Sequence, residues 1–208
     1  MHQKKILKNT VEIQEEERRR IAQDLHDELG AVLSICKMRL TSLEKNYTGN
    51  VSELLDLKAY LDAALKSTRR ISRELMPVQL EQLGLKKSLL SFAHFAGESS
   101  EIEINTEIEI SSVELPPSLQ LGIYRIYAEL VNNSMKYANA SSVTARIDVS
   151  NESIVLMHED DGQGIDFEQF ESGLGMMSIN NRIEYLGGNW KYGNKPEGGF
   201  YAEIIVPF

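Results

Sequence analysis

The sequence predicts two units of different class. An antiparallel helical hairpin, paired with a second copy as a four-helix bundle, precedes an α/β sandwich of helices on one sheet. Three observations carry this. Residues 1–75 hold no proline and only two glycines, Gly30 and Gly49. Apolar residues there recur every three or four positions, the helical period. Past residue 100 the period drops to two in short segments bounded by turn residues, as in strands.

In the first helix Ile21, Leu25, Leu29, Val32, Cys36, Leu40 and Leu43 form a coiled-coil-like seam. "NYTGN" (Asn46–Asn50) carries turn chemistry and a helix-stopping glycine. A second series follows: Leu54, Leu57, Leu61, Leu65, Thr68, Ile71 and Leu75. One hairpin leaves a long apolar stripe in water, and two bury it, so a homodimer is expected. Cys36, within the seam, reads as a packed core thiol.

Pro77 ends the second helix. "QLEQLGLKKSLLSFAHFAG" gives a short helix and a connection. The expected bounds are 1–76 for the hairpin, 77–100 for the connecting segment and 101–208 for the sandwich. "IEINTEIEI", "SVTARIDVS" and "ESIVLMHED" alternate as strands, and "NWKYG" and "GFYAEIIVPF" close the chain as two more. Helices are expected at Pro116–Ala138 and about Met176–Leu186.

Composition narrows the class. A chain of 208 residues, 42% hydrophobic and 25% charged, is globular in character. Its net charge of -9 argues against broad nucleic-acid binding. No apolar run approaches the roughly 20 residues that span a bilayer. One cysteine excludes an intrachain disulfide and fits a reducing compartment, so a cytoplasmic location is expected. Any membrane attachment is expected through a segment upstream.

On a helical projection of Pro116–Ala138, Leu119, Ile123, Ile126, Tyr127, Leu130 and Ser134 share the face that covers the sheet. Glu129, Asn133 and Lys136 line the neighbouring stripe. Alone they read as a solvated polar edge. They also suit a metal–phosphate site, with the Asn133 amide oxygen as a Mg²⁺ ligand and Lys136 neutralising phosphate. "DDGQG" follows a strand. Its glycines, Gly162 and Gly164, let backbone approach a planar ligand, and Asp160 can accept a bond from an amino group. "SGLGMM" places Gly173 and Gly175 at a helix N-terminus, where backbone amides hold anions. Each signal is weak alone and much stronger in this order.

The motifs "ELVNNSMKYA", "DDGQG" and "GLGMMSINNRIEYLGG" resemble the N box and two G boxes of the Bergerat-type ATP-binding domain of sensor histidine kinases. "EEERRRIAQDLHDELG" resembles the phosphoacceptor box of the subfamily of nitrate-sensing and lipid-fluidity-sensing kinases, and "LMPVQLEQLGLKKSL" that subfamily's interdomain connection. The resemblance covers roughly residues 15–208. It implies that His26 accepts the γ-phosphoryl group of ATP and that Asp27 assists as base or orienter. It implies Glu129 as the N-box acid, Asn133 as the Mg²⁺ ligand and Lys136 on phosphate, with Tyr137 beside them. Asp160 would recognise adenine, and Gly162, Gly164, Gly173 and Gly175 would be the loop glycines. A homodimer and a response-regulator receiver domain are the implied partners.

Three positions depart from the pattern. Ala31 stands where the subfamily often has a polar residue for dephosphorylating the partner, so weak phosphatase activity is expected. Tyr137 replaces the usual histidine but keeps a hydroxyl and a stacking ring, so ATP binding is expected to survive. Phe200 stands near adenine where threonine is common and loses a polar contact, so nucleotide affinity is expected below the family norm. His26 projects about 80° from the seam's centre, held yet reachable. Gly30, one turn on, is expected to clear space beside the imidazole. Asp27 points about 100° from His26 on a regular helix, so its role rests on the resemblance. His2, His94, His158 and Trp190 read as structural. Two rival functions remain: a gyrase- or chaperone-type ATPase with Glu129 activating water, and a dimeric scaffold regulated by nucleotide.

Overall fold

The computed structural model describes residues 2–44, 51–75, 78–111, 113–166 and 173–208. The chain divides into two units, Glu12–Val78 and Met1–Val11 with Gln79–Phe208.

The first unit is the hairpin. Helix α1 (His2–Asp24), which belongs to this unit from Glu12 onward, runs into a π-helical turn (Leu25–Leu29) and continues as α2 (Gly30–Glu44). Helix α3 (Val51–Leu75) packs back along them. The expected turn "NYTGN" lies outside the described residues. Cross-links show the antiparallel register: Glu44 pairs with Lys58 at 2.8 Å and Lys37 with Asp62 at 2.5 Å. Further along, the Ser72 hydroxyl donates to the Ala22 carbonyl at 3.1 Å. Thr68, also buried, turns its hydroxyl back to the Ala64 carbonyl, so neither polar group is left unpaired.

The seam expected from the sequence splits between two faces. Ala22 and Leu40 are buried and Ile21 and Leu25 half-buried, against α3. Leu29, Val32 and Leu43 are exposed, as are Ile35 and Met38. Cys36 is exposed as well, so it is not a packed core thiol within one chain. Two causes combine. A single partner helix covers only one line of contact. The π turn also holds extra backbone per turn, which rotates later side chains relative to earlier ones.

The second unit is the sandwich. Helix α4 (Val78–Ser99) breaks at Gly84, whose φ of 74° lies where glycine moves freely. Beyond the break Leu85, Leu89, Ala93 and Ala96 bury themselves in the core at helical spacing. Strand β1 (Glu103–Ile110) runs parallel to β2 (Ser142–Val149), and helix α5 (Pro117–Asn133) forms the crossover between them. Strand β3 (Ser153–Asp160) pairs antiparallel with β2. Helix α6 (Leu174–Tyr185), β4 (Asn189–Asn194) and β5 (Phe200–Pro207) follow, with β5 inserted between β3 and β4. The spatial order is β1-β2-β3-β5-β4.

Alternation along the strands buries one side chain in two, as period-two sequence demands. The inward set, among it Ile147, Leu156 and Ile204, meets Ile123, Ile126 and Leu130 of α5 and Ile179 of α6. Phe92 of α4 meets Tyr124 and Tyr127 edge-on at 5.9 and 5.8 Å. Burial pushes the Tyr127 hydroxyl up to about 12, partly opposed by its hydrogen bond with Thr106.

Candidate functional site

Helix α5 ends in a second π-helical turn (Ser134–Ala138), closed by Asn139 in the left-handed region. The face expected to cover the sheet does so, Ser134 included. Glu129 and Asn133 are half-buried on the next stripe, while Lys136 and Tyr137 stand exposed in the π turn. Gly175, in the first turn of α6, meets this stripe. A β-carbon there would fall 2.5 Å from Glu129 Oε1 and 3.2 Å from Asn133 Oδ1. Gly175 thus lets α6 approach the acid and the amide. Gly173 caps α6 with φ -65° and would carry a β-carbon with nothing within 4 Å.

Asp160 ends β3 and is 3% exposed. Its Oδ1 accepts the Gly162 and Phe200 backbone N–H groups at 3.0 and 3.1 Å. Its Oδ2 accepts the Ser134 hydroxyl at 2.8 Å. Phe200 therefore contributes through its backbone, and its ring is buried, tilted near His158 and Tyr192. The following loop is tied on two sides. Gln163 donates its backbone N–H to the Ala138 carbonyl at 2.8 Å and its side-chain amide to the Tyr137 carbonyl at 3.0 Å. The Asn194 side chain bonds both the N–H and the carbonyl of Ile165 at 2.7 Å. Gly164, with φ 71°, leaves room for that amide. Asp161 has a different task. It accepts the Ser141 hydroxyl and the Ser141 and Ser142 amides, and these bonds hold its carboxyl below the usual carboxylate range.

Ser134 and His158 are the residues sequence reasoning did not place in the site. His158 is fully buried, with Nε2 3.0 Å from the Ser134 oxygen. Burial pushes its ring down to about 4, with Asp160 pulling weakly the other way. Both residues occupy positions where the helical and strand periods call for apolar side chains, and that mismatch was their available signal. The lowered value has a consequence for stability. Above about pH 6.5 the ring is neutral in folded and unfolded chains alike. Between about 6.5 and 4 the unfolded chain binds the proton first, so the ring's contribution is lost as pH falls through that window. The loss is about 3 kcal/mol. Unfolding free energy measured from pH 7 to 4 should drop by that amount, with the drop reduced in His158→Gln.

In the hairpin, His26 and Asp27 lie in the π turn and both side chains are exposed. The regular-helix projection of His26 therefore does not apply. Neither side chain makes a hydrogen bond among the described residues. A groove of about 340 Å³ runs beside them, with His26, Asp27, Gly30 and Ala31 on one wall and Thr68 and Ser72 on the other. A β-carbon on Gly30 would meet only the Leu25 carbonyl oxygen, at 3.6 Å. No side-chain atom of His26 lies within 4 Å of that carbon, so a β-carbon alone would not crowd the imidazole within a chain.

Fold and site together define a class: a helical hairpin that presents a histidine, followed by an ATPase-type α/β domain. The chain belongs to the histidine kinase family. Residues 17–80 match the family model described as "Histidine kinase", and residues 118–208 match that of the "Histidine kinase-, DNA gyrase B-, and HSP90-like ATPase". The oxygen sensor histidine kinase NreB of Staphylococcus carnosus is 26% identical over 100% of this chain and 61% of its own length. The signal transduction histidine-protein kinase/phosphatase DegS of Brevibacillus brevis is 25% identical over 95% of the chain and 53% of its length. The chain thus spans little more than half the length of such relatives. Among solved structures, the histidine kinase domain of a blue-light activated histidine kinase from Erythrobacter litoralis superposes with a TM-score of 0.52 at 17% identity. That match covers 84% of this chain and 95% of the other and bears on the fold. Among the described residues, no helix is long and apolar enough to cross a membrane.

Proposed function

We propose that this chain is the catalytic core of a sensor histidine kinase. It uses ATP to phosphorylate His26, and the phosphoryl group then passes to an aspartate on a response-regulator receiver domain. The observation that carries the reading is the approach of Gly175 to Glu129 and Asn133, next along α5 to the Ser134 that bonds the buried Asp160, in a chain whose hairpin exposes His26.

In this reading Asp160 accepts the adenine amino group. The amides around Gly173 and Gly175 and the Lys136 ammonium hold the phosphates. Gly162 and Gly164 let the connecting loop close under the base. Tyr137, exposed in the π turn, flanks the nucleotide. Mg²⁺ fits the donor set, because Asn133 and Glu129 offer hard oxygens side by side. The described residues include no cluster of three or more His, Cys, Asp or Glu that would favour an all-protein cage. When bound with the nucleotide, the ion neutralises phosphate charge.

The chain's own residues do the rest by positioning. The His26 ring nitrogen attacks the γ-phosphorus, forming an N–P bond as the bond to the ADP oxygen breaks. Asp27 orients the ring or takes the proton released from its other nitrogen. The exposed apolar stripe of the hairpin is covered by a second copy, giving a homodimer. Transfer needs the ATP-binding unit to reach the histidine, a domain movement common in kinases.

One assay distinguishes this from the rivals. Incubation with γ-labelled ATP should yield an acid-labile, base-stable phosphoprotein. Hydrolysis without a phosphoprotein would mark a gyrase- or chaperone-type ATPase, and binding without turnover a scaffold.

Reversal of the signal is expected to be weak. Ala31 lines the groove beside His26 and has no polar atom to hold water. Ala31→Gln should speed loss of phosphate from a phosphorylated receiver domain by up to about a hundredfold, the lower end of what a positioned acid–base side chain contributes. An unchanged rate would remove Ala31 from the account.

A further inference from the structure

The Ser134 hydroxyl has two close neighbours, Asp160 Oδ2 at 2.8 Å and His158 Nε2 at 3.0 Å. All three groups are buried: His158 is 0%, Ser134 2% and Asp160 3% exposed. A hydroxyl has one proton and a carboxylate has none to give, so the directions follow from chemistry. Ser134 donates to Asp160. Its oxygen must then accept from His158, which places the ring proton on Nε2. Nδ1 is left as a bare acceptor, and among the described residues it has no partner. A buried nitrogen without a partner is uncommon, and an apolar side chain of similar size would fill the space without that cost. The fold also makes room for the ring. Its cross-strand neighbours are Ala145 on β2 and Ala202 on β5, both buried and small.

The carboxylate itself is nearly saturated. Oδ1 accepts two backbone N–H groups, from Gly162 and Phe200. Oδ2 accepts Ser134. With about four lone-pair sites on a carboxylate, one acceptor position remains, on Oδ2.

We infer that His158 and Ser134 form a buried relay that fixes the direction of the last free acceptor of Asp160 and so selects a 6-amino purine over a 6-oxo purine. This rests on the reading of Asp160 as the base-recognising group. His158 and Ser134 are positioning residues, acting only through Asp160. Without the imidazole donor, the serine hydroxyl is free to rotate and present its proton or its lone pair elsewhere. Without the serine, Oδ2 gains a second free acceptor site that water can fill. In both cases the edge facing the base loses its single polarity. A ligand with a carbonyl in place of the amino group is then rejected less strongly, since rejection depends on an acceptor meeting a fixed acceptor.

The test compares ADP with IDP, its 6-oxo counterpart, by calorimetric titration of the full chain. Wild type should prefer ADP. Ser134→Ala and His158→Leu should each lower the ADP:IDP affinity ratio by about tenfold, the effect of one hydrogen bond to a charged group. Ser134→Thr keeps the hydroxyl and His158→Gln keeps an N–H donor, and both should hold the ratio near the wild-type value. A role in packing alone would alter both affinities together and leave the ratio fixed. Circular dichroism confirms which variants fold, and Ser134→Ala removes only a hydroxyl, so the test does not depend on His158→Leu. An unchanged ratio in Ser134→Ala, with wild type still preferring ADP, overturns the relay and leaves the nucleotide site intact. Failure of wild type to bind either nucleotide overturns the reading of the site itself.

Discussion

Replacing His26 with glutamine should abolish phosphoprotein formation while leaving ADP affinity within about twofold of wild type. The side chain is exposed in a π-helical turn and touches no other described side chain by hydrogen bond. Its loss therefore removes no hydrogen bond and no buried side chain, and the hairpin should keep its helical signal. Exposed substitutions away from special features usually change stability by no more than about 0.5 kcal/mol. Glutamine approximates the imidazole's reach and polarity but offers no nucleophilic ring nitrogen. The effect on labelling should thus be complete rather than graded, since the acceptor atom itself is gone. Label retained in His26→Gln would refute the assignment. The other described histidines offer a control. His158 is fully buried, and His94 lies exposed on α4 beside Glu98, in a segment with no acidic neighbour in sequence like Asp27. Label on a peptide containing His94 would move the phosphoacceptor to α4.

The second large effect is expected at Gly162. A β-carbon there would overlap the Ala138 carbonyl oxygen and lie 2.8 Å from the Ala138 carbonyl carbon and β-carbon. Two of these three atoms are backbone, so no side-chain rotation relieves the clash. The loop must move away from the end of α5. That movement strains the Gln163 bond to Ala138 and the Gly162 bond to Asp160, each about 3 Å long. Gly162→Ala should therefore cost about 2–3 kcal/mol of stability, as overpacking of a tight site does. Nucleotide affinity should fall with it, because the displaced amide is one of those fixing Asp160. Gly173→Ala is the matched control. It has an ordinary extended φ and open space around the new carbon, so its unfolding midpoint should stay at the wild-type value. Equal stabilities for Gly162→Ala and Gly173→Ala would contradict the close approach.

Much of this arrangement was legible in the letters, and the exceptions have physical causes. The period-two segments fall on β1, β2, β3 and β5 within a residue or so at each end, because each strand buries alternate side chains on a sheet with one covered face. The stripe of Glu129 and Asn133 could be projected because α5 is regular up to Asn133. Both π turns were hidden. A shift from one hydrogen-bond register to the next changes no composition or spacing, and it reorients His26 as well as Lys136 and Tyr137. Leu29, Val32 and Cys36 are exposed in the single chain, because periodicity reports an apolar stripe without saying which chain covers it. Ser134 was placed on the covered face correctly, yet its bond to Asp160 depends on the meeting of α5 with the end of β3, a long-range fact that neither segment encodes alone.

The uncovered stripe on the hairpin bears on how such a molecule answers dilution. Leu29, Val32, Ile35, Met38 and Leu43 face water in a single chain. With a second copy as the proposed cover, part of each chain's folding free energy comes from an encounter and not from its own contacts. Mass action then ties the hairpin's melting to protein concentration, while the sandwich, with its own closed core, melts at a fixed temperature. Each tenfold concentration step should add about 1.4 kcal/mol per dimer to the hairpin alone. The abundance of the protein would thereby set how much of it is assembled, with no change in any residue or ligand.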